Sequence, residues 1–272
     1  MKSLVTALAL ILSIATPAAP RAAGEGAPKL SVPLSDPGRP AILKVSTING
    51  GIAVEGYAGK EVSIESTGHG EEPEGKPRRG AEGMRRIPNR GAGLSVDEND
   101  NVVTVTARSP SEGGELHIQV PFHTSLHLSA VNGGEIRVSG VEGEIEISHV
   151  NGGIEARDVA GSVVAHTTNG DVKVVLSRMV ADKPMAFSTL NGDVDVTFPA
   201  NFKANVHVRS DRGEIYSDFE IAAHGHAIKE SRREGKRHIE VEREMQGTIG
   251  GGGPDILFKT FNGDIFIRRG RG

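Results

Sequence analysis

The amino-acid sequence predicts an all-β protein, a single-domain parallel β-solenoid of about 8–10 short coils. Asn-Gly pairs occur six times, more often than composition explains, and four of them fall at a near-constant period. Runs in which β-branched residues alternate with polar ones follow these pairs, as expected for strands with one buried face. Glycine accounts for 36 of 272 residues and aromatic residues for only 4%. We therefore expect frequent corners around a narrow aliphatic interior that excludes large rings.

Each Asn-Gly pair marks a sharp corner, because both residues tolerate a positive φ at low steric cost. The central steps are 19, 18 and 22 residues, and Arg212-Gly213 continues the series after 21 more. One unit is therefore a corner, a short strand, a glycine turn and a second strand. The predicted structural turn residues are Asn49, Gly50, Asn132, Gly133, Asn151, Gly152, Asn169, Gly170, Asn191, Gly192, Asn262 and Gly263.

Two architectures fit this pattern. In a β-solenoid each unit is one coil that stacks on its neighbours, so that the recurring Asn could form a side-chain ladder. In the alternative, a β-meander or barrel, each Asn-Gly pair closes a two-residue hairpin. The period favours the solenoid, since stacking requires coils of nearly equal length whereas hairpins do not.

The chain divides into a leader and one repeat domain. Lys2 and the apolar run from Leu4 to Ala15 predict a secretory signal peptide over residues 1–23, because the run is too short to span a bilayer. Residues 24–40 are then the N-terminal leader of the mature chain. Residues 41–272 are the solenoid domain.

Two segments interrupt the repeat. Residues 68–93 are rich in Gly, Glu, Arg and Pro, which predicts a disordered charged loop. Residues 219–246 predict an excursion or hairpin, with a short helix as the alternative. The charged end of the chain, from Arg268 to Gly272, is expected to protect the open edge of the last coil against polymerisation.

Composition excludes several classes of function. The absence of cysteine excludes a disulfide scaffold, a cysteine-ligated metal site and a thiol nucleophile. A net charge of −4 and a pI near 6.2 give no general attraction to nucleic acids or anionic membranes. No apolar run after the signal peptide is long enough for a transmembrane helix in the mature chain.

Several patterns raise the question of chemistry without specifying it. Gly250–Phe258 fits the nonapeptide of calcium-binding β-rolls once, whereas such sites need tandem copies. The carboxylate pairs Asp193/Asp195 and Glu144/Glu146 are common on any solvated strand, and the ten histidines show no recognised ligand spacing. We therefore predict no catalytic, cofactor-binding or metal-ligating residue. Acidic residues also recur just after the corners, where a solvated row is expected: Glu135, Asp171, Asp193, Glu214 and Asp264.

Motifs at both ends of the repeat point to a family. Asn49-Gly50-Gly51-Ile52 leads into Glu61-Val62-Ser63-Ile64, and Asn-Gly-Asp or Asn-Gly-Gly units with I-x-V strands follow. The glycine-rich residues 247–256 precede Phe261-Asn262-Gly263-Asp264-Ile265. In these features the chain resembles the bacterial putative-adhesin family, exported β-solenoid proteins of unsettled function. The resemblance implies surface adhesion and supplies no catalytic residues.

These observations predict a non-catalytic exported module of the cell envelope, in the periplasm or on the cell surface. It would display its faces and loops to an envelope protein, a polysaccharide or another copy of itself. A carbohydrate-active β-helix enzyme and a scaffold or sensor of envelope stress are the alternatives. With no Trp and two Tyr, the chain has few aromatic platforms for sugar rings, which argues against the enzyme.

Overall fold

The computed structural model of the protein describes residues 29–67, 94–107, 114–180, 183–233 and 236–270, with side chains described outside 225–243. The predicted signal peptide (1–23) and charged loop (68–93) lie outside the described residues. Twenty strands and no helix make up the regular structure of the described ranges. The fold is therefore all-β, as predicted.

The strands are β1 (Lys29–Pro33), β2 (Ala41–Asn49), β3 (Gly51–Tyr57), β4 (Glu61–Thr67), β5 (Leu94–Asn99), β6 (Val102–Ala107), β7 (Glu115–Pro121), β8 (Thr124–Asn132), β9 (Ile136–Ser139), β10 (Glu142–Asn151), β11 (Ile154–Asn169), β12 (Val172–Met179), β13 (Met185–Ser188), β14 (Val194–Phe198), β15 (Ala204–Ser210), β16 (Ile215–Ser217), β17 (Ala222–Arg233), β18 (Lys236–Ile249), β19 (Asp255–Thr260) and β20 (Ile265–Arg269).

Each coil consists of one strand on face A and one on face B, and in coils 2 to 7 an Asn-Gly corner joins them. Face A contains β2, β6, β8, β10, β13, β15, β19 and the second half of β11, which pair in parallel. Face B contains β3, β7, β9, β12, β14, β16, β20 and the first half of β11, also in parallel. Equivalent residues of successive coils are register partners, for example Asn132 with Asn151 and Asn151 with Asn169.

This parallel register makes the domain a β-solenoid, as the repeat predicted. Strands on the two sides of an Asn-Gly corner pair with neighbouring coils and not with each other. The pairings nevertheless join all 20 strands into one sheet that wraps around a single core. In this respect the domain also resembles the alternative prediction of a barrel, because its single sheet is nearly closed around the core.

The coils do not stack in the order of the sequence. Along the rod, coil 1 is β6–β7, coil 2 is β2–β3, coil 3 is β8–β9, and coils 4 and 5 are β10–β11 and β11–β12. Coil 6 is β13–β14, coil 7 is β19–β20 and coil 8 is β15–β16. The first coil in the sequence, β2–β3, is therefore second in the stack. The last coil in the sequence, β19–β20, is second from the other end. Seven spacings of about 4.8 Å give a stack roughly 34 Å long.

Antiparallel strands close the ends of the stack. At the coil 1 end, β5 pairs with β6, β4 with β7 and β1 with β4. At the coil 8 end, β18 pairs with β15 and β17 pairs with β18. The segment 219–246 therefore contributes most of an antiparallel pair of strands, and its described residues form no helix.

The expected role of the C-terminal tail is wrong, because the closing coil is not the end of the stack. Strand β20 lies between β14 and β16. The Arg268 Nε donates to Asp195 Oδ1 at 2.7 Å, and the Arg269 guanidinium lies 4.7 Å from the Phe219 ring centre. These arginines hold the closing coil to its neighbours.

The core runs continuously along the rod, and inward residues alternate with outward ones along coil strands such as β8, β10 and β15. The N-terminal coils are filled by Ile, Val, Leu and Ala. The expectation that large rings are excluded is wrong for the C-terminal coils, where Phe187, Phe198 and Phe258 are fully buried and in mutual ring contact. Phe187 fits because its register partner in coil 5 is the small Ala165.

Candidate functional site

The Asn residues of coils 2 to 7 lie at the same corner, and five of them form a hydrogen-bonded ladder. Each side-chain Nδ2 donates to the Oδ1 of the previous Asn in the stack, at 2.7–2.8 Å. Asn49 is the register partner of Asn132 and extends the column into coil 2. The paired glycines all have positive φ. The ladder, in spatial order, is Asn132, Asn151, Asn169, Asn191 and Asn262.

A second, buried ladder lies two residues before the Asn. Thr167 Oγ1 donates to the Gly152 carbonyl oxygen of the neighbouring coil at 2.9 Å, and Thr189 does the same to Gly170. Thr260 and Ser210 repeat this bond one and two coils further on. The hydroxyl satisfies a carbonyl that the corner turns inward, where an unpaired acceptor would be costly.

His149 breaks this hydroxyl ladder in coil 4. Its side chain is buried, and its register partner in coil 3 is Ala130, whose small side chain makes room for the ring. Nδ1 lies 3.4 Å from the Gly153 carbonyl oxygen, while Nε2 is buried without a hydrogen-bond partner among the described residues. Burial lowers the pKa of His149 below its ordinary value of 6.5, because the charged ring would lose its hydration.

Three of the acidic residues after the corners, Asp171, Asp193 and Asp264, accept hydrogen bonds from backbone amides of the next coil. The amide of Asp193 donates to Asp171 Oδ1 at 3.0 Å, and the amide of Asp264 donates to Asp193 Oδ1 at 2.8 Å. Glu214 continues the series by donating its amide to Asp264 Oδ1 at 2.8 Å. These carboxylates tie adjacent corners together, so Asn, Gly and Asp of the repeated triplet each have a structural role.

The other chemical candidates are also engaged in local contacts. Asp195 accepts from Arg268, and Glu144 and Glu146 pair with Lys183 and His127. The ion pair with Lys183 lowers the pKa of Glu144. Asp255, within the single β-roll-like nonapeptide, accepts from Asn205 Nδ2 at 3.0 Å. The described residues contain no group of three or more His, Asp or Glu arranged to hold a metal ion.

A polar cleft of 660 Å³ lies on face B, near the coil 1 end. It forms because the outward column of side chains dips at Ala53, which lies in register between His117 and Arg137. Ser63 and Ser139 extend the floor of short side chains. The rim carries long polar side chains, namely Lys29, Glu55, Glu65, His117, Arg137 and Arg157.

Ion pairs hold the rim of this cleft in place. Glu115 bridges Arg137 and His117, with its Oε2 3.0 Å from His117 Nε2. Arg157 donates to Glu155 at 2.5 Å, an ion pair that raises the pKa of Arg157. Both signs of charge thus surround the floor, an arrangement suited to a polar ligand that carries hydrogen-bond donors and acceptors.

The sequence did not identify this cleft, although its residues come from recognisable strands. The cleft joins β1, β3, β4, β7, β9 and β11, and its depth depends on β7 lying between β3 and β4. That neighbourhood follows from the exchanged order of coils 1 and 2. The short Ala53 side chain between His117 and Arg137 is the feature that creates the cleft. These three residues are far apart in the sequence, and they become neighbours only through the order in which the coils stack.

Comparison with protein families agrees with the fold. The family model described as Toastrack DUF4097 matches residues 85–250, which confirms the predicted resemblance through the central coils. No curated protein sequence matches the chain. A putative cell adhesion protein from Clostridium sporogenes aligns at 10% identity and a TM-score of 0.41, over 90% of this chain and 100% of its own. A putative adhesin from Bacteroides fragilis aligns at 12% identity and a TM-score of 0.34, over 90% and 98%. Neither alignment bears on function at these values.

Proposed function

The chain belongs to the Toastrack DUF4097 family, and on that basis we propose that it is a non-catalytic, exported binding or structural module of the cell envelope. It displays the outer surface of a rigid solenoid to a partner. The polar cleft on face B carries the proposal, because a built concavity with an ion-paired rim is a site that can select a ligand.

The solenoid holds its outward side chains at a fixed spacing. This regular surface supports the proposal that the protein works by presenting those side chains to a binding partner. From the rim of the cleft towards coil 6, the outward column of face B alternates in charge through Arg137, Glu155, Lys173 and Asp195. These residues lie on neighbouring strands about 4.8 Å apart, so the pattern is a regular one that an extended partner can match. The partner in this proposal is a polar envelope component, a protein segment or a charged polysaccharide.

The chemistry of the cleft favours polar over aromatic recognition. Its described lining contains Arg, Lys, Glu, Gln, Ser and His side chains and no Phe, Tyr or Trp. A neutral sugar is usually held by stacking on an aromatic ring. We therefore place a protein segment or a charged polysaccharide ahead of a neutral glycan as the ligand.

Export is part of the same proposal and rests on the sequence of residues 1–23. No helix among the described residues is long and apolar enough to cross a membrane. Fractionation of cells that express the full chain should place the protein outside the cytoplasm. Deletion of residues 2–23 should retain it in the cytoplasm, and equal export of both forms would contradict this part of the proposal.

The binding role is tested by filling the cleft. Ala53→Arg places a long side chain on the floor without touching the core, since Ala53 faces outward. Ser46→Arg, exposed on face A, is the matched control. Residues 24–272 are immobilised and exposed to solubilised envelope proteins and to a panel of charged polysaccharides. A ligand retained by the wild type and by Ser46→Arg should be lost with Ala53→Arg.

Two outcomes contradict the proposal. Equal retention of every ligand by Ala53→Arg would show that the cleft is not the binding site. Degradation of a polysaccharide by the wild-type protein would replace display with catalysis. A parallel capture with residues 68–93 deleted separates a partner of that segment from a partner of the cleft.

A further inference from the structure

Face A carries an exposed apolar patch on coils 5 to 7, on the side of the rod away from the cleft. Three outward positions on each of these coils form a three-by-three grid in which Lys259 alone carries a full charge at neutral pH. Leu190 is 46% exposed, Val164 42%, Leu257 39% and Phe261 38%. The nine positions are Val164, His166, Thr168, Ala186, Ser188, Leu190, Leu257, Lys259 and Phe261.

The patch continues towards the coil 1 end along the Asn corner. Val150, Val131 and Ile48 occupy the position next to the ladder in coils 4, 3 and 2, and all three are exposed. The neighbouring side chains are the neutral Asn ladder on one side and Ser148, Ser129 and Ser46 on the other. Charged groups at this area are few, namely Lys259 within the grid and the Arg212 guanidinium 5.1 Å from the Phe261 ring centre. A contiguous, largely apolar area on a sheet face marks an interaction surface.

We propose that this surface binds a second copy of the chain, so that two rods pack antiparallel through face A. The two-fold axis runs parallel to the strands and passes through coil 6 at Ser188. This operation places coil 7 of one copy opposite coil 5 of the other. Leu257 then meets Val164, and Phe261 meets Thr168, which buries the apolar positions against each other.

The charges outside the grid fit the same arrangement. Coil 8 of one copy lies opposite coil 4 of the other, so His207 faces Glu146 and Arg209 faces Ser148. No outward pair of equal charge is brought together across coils 4 to 8. Lys259 faces His166 in the same arrangement, so the axis through coil 6 sets Leu257 on Val164 and opposes no two side chains of Lys or Arg, or of Asp or Glu.

The area is in the range of a weak, reversible dimer. Five coils at about 4.8 Å and three outward positions at about 6.8 Å cover a surface of roughly 24 by 20 Å on each copy. The two copies together bury about 1,000 Å², near the lower bound for a specific protein interface. The interface leaves face B uncovered, so the inference does not depend on what the cleft binds.

The test measures molar mass by light scattering and proximity by cross-linking, with residues 24–272. Wild type should have twice the mass of the chain at high micromolar concentration, and Leu190→Glu should weaken dimerisation about tenfold or more. Val175→Glu, equally exposed on face B, is the matched control and should remain dimeric. Circular dichroism checks that each variant is folded, and Val164→Lys replaces Leu190→Glu if that variant is not.

The lack of cysteine makes the geometry directly testable. Ser188→Cys lies on the two-fold axis and should yield a covalent dimer with a short bismaleimide, whereas Thr197→Cys on face B should not. A monomeric wild type, a dimer unaffected by Leu190→Glu and Val164→Lys, or equal cross-linking at positions 188 and 197 would each overturn the proposal.

Discussion

The side-chain hydroxyl of Thr167 donates a 2.9 Å hydrogen bond to the backbone carbonyl oxygen of Gly152 in the adjacent coil. Thr167 is fully buried, and the glycine belongs to the corner that precedes it in the chain. The same bond recurs in three further coils. It explains why a threonine stands two positions before the Asn in coils 5, 6 and 7.

Replacing Thr167 by Val should lower the free energy of unfolding by about 1–2 kcal/mol. The substitution keeps the shape of the side chain but leaves the carbonyl oxygen of Gly152 without its buried donor. Thr168→Val, one residue later on the outward side, should change stability by less than about 0.5 kcal/mol. Urea denaturation of the two variants makes the comparison, and equal losses would show that the hydroxyl bond is not the cause.

The exposed Asn ladder should also stabilise the stack. Asn169→Ala removes one bond to Asn151 and one to Asn191, and should cost about 1–2 kcal/mol in total. Asn201→Ala, exposed in a turn, is the control and should cost much less. Thermal unfolding followed by circular dichroism compares the two, and an unchanged melting temperature for Asn169→Ala would contradict a stabilising ladder.

His149 should make the fold sensitive to acid. Its folded-state pKa lies below the ordinary 6.5, so the unfolded chain takes up a proton first as the pH falls. The stability associated with the neutral ring is present above pH 6.5 and is lost as the pH drops towards the folded-state pKa. His149→Thr should therefore reduce the loss of stability between pH 7.5 and pH 5. Urea denaturation at both pH values tests this, and an identical loss in the variant would rule out His149 as the source.

The corner glycines should differ sharply in their tolerance of a side chain. Gly192 has φ +144°, and a Cβ there would lie 2.2 Å from the Gly170 carbonyl oxygen. Gly192→Ala should therefore cost about 3 kcal/mol or more, through both steric overlap and backbone strain. Gly251 has φ +90° but open space around it, so Gly251→Ala should cost only about 1–2 kcal/mol. Similar midpoints of urea denaturation would contradict the close approach of corners.

Removal of residues 254–272, which form coil 7, should also unfold coil 8. Coil 7 lies between coil 6 and coil 8, so its loss separates β15 and β16 from the rest of the stack. Deletion of residues 24–33, which removes the edge strand β1, is the control and should leave the coils folded. Hydrogen exchange should show loss of protection over 204–217 in the first variant only. Retained protection there would contradict the inserted position of coil 7.

Much of the local structure was predictable from the corners. Each Asn-Gly pair forms a corner, and the alternation around Ile136 and Val138 or Val172 and Val174 assigns the buried side of those strands. His149 was not predictable as a buried residue, because histidine is common on surfaces and its burial depends on the small Ala130 in the adjacent coil.

The sequence by itself determined the all-β class, the coil length and the chemistry of the corners, since these depend on residues close together in the chain. Only the tertiary structure decided the order of the coils, and with it the cleft on face B and the apolar patch on face A. Every coil offers its neighbours the same backbone pairing, so the order depends on side chains far apart in sequence. The rings of Phe258 and Phe187 stack with their centres 5.6 Å apart. This packing favours the arrangement in which β19 of the closing coil, and not β15, pairs with β13.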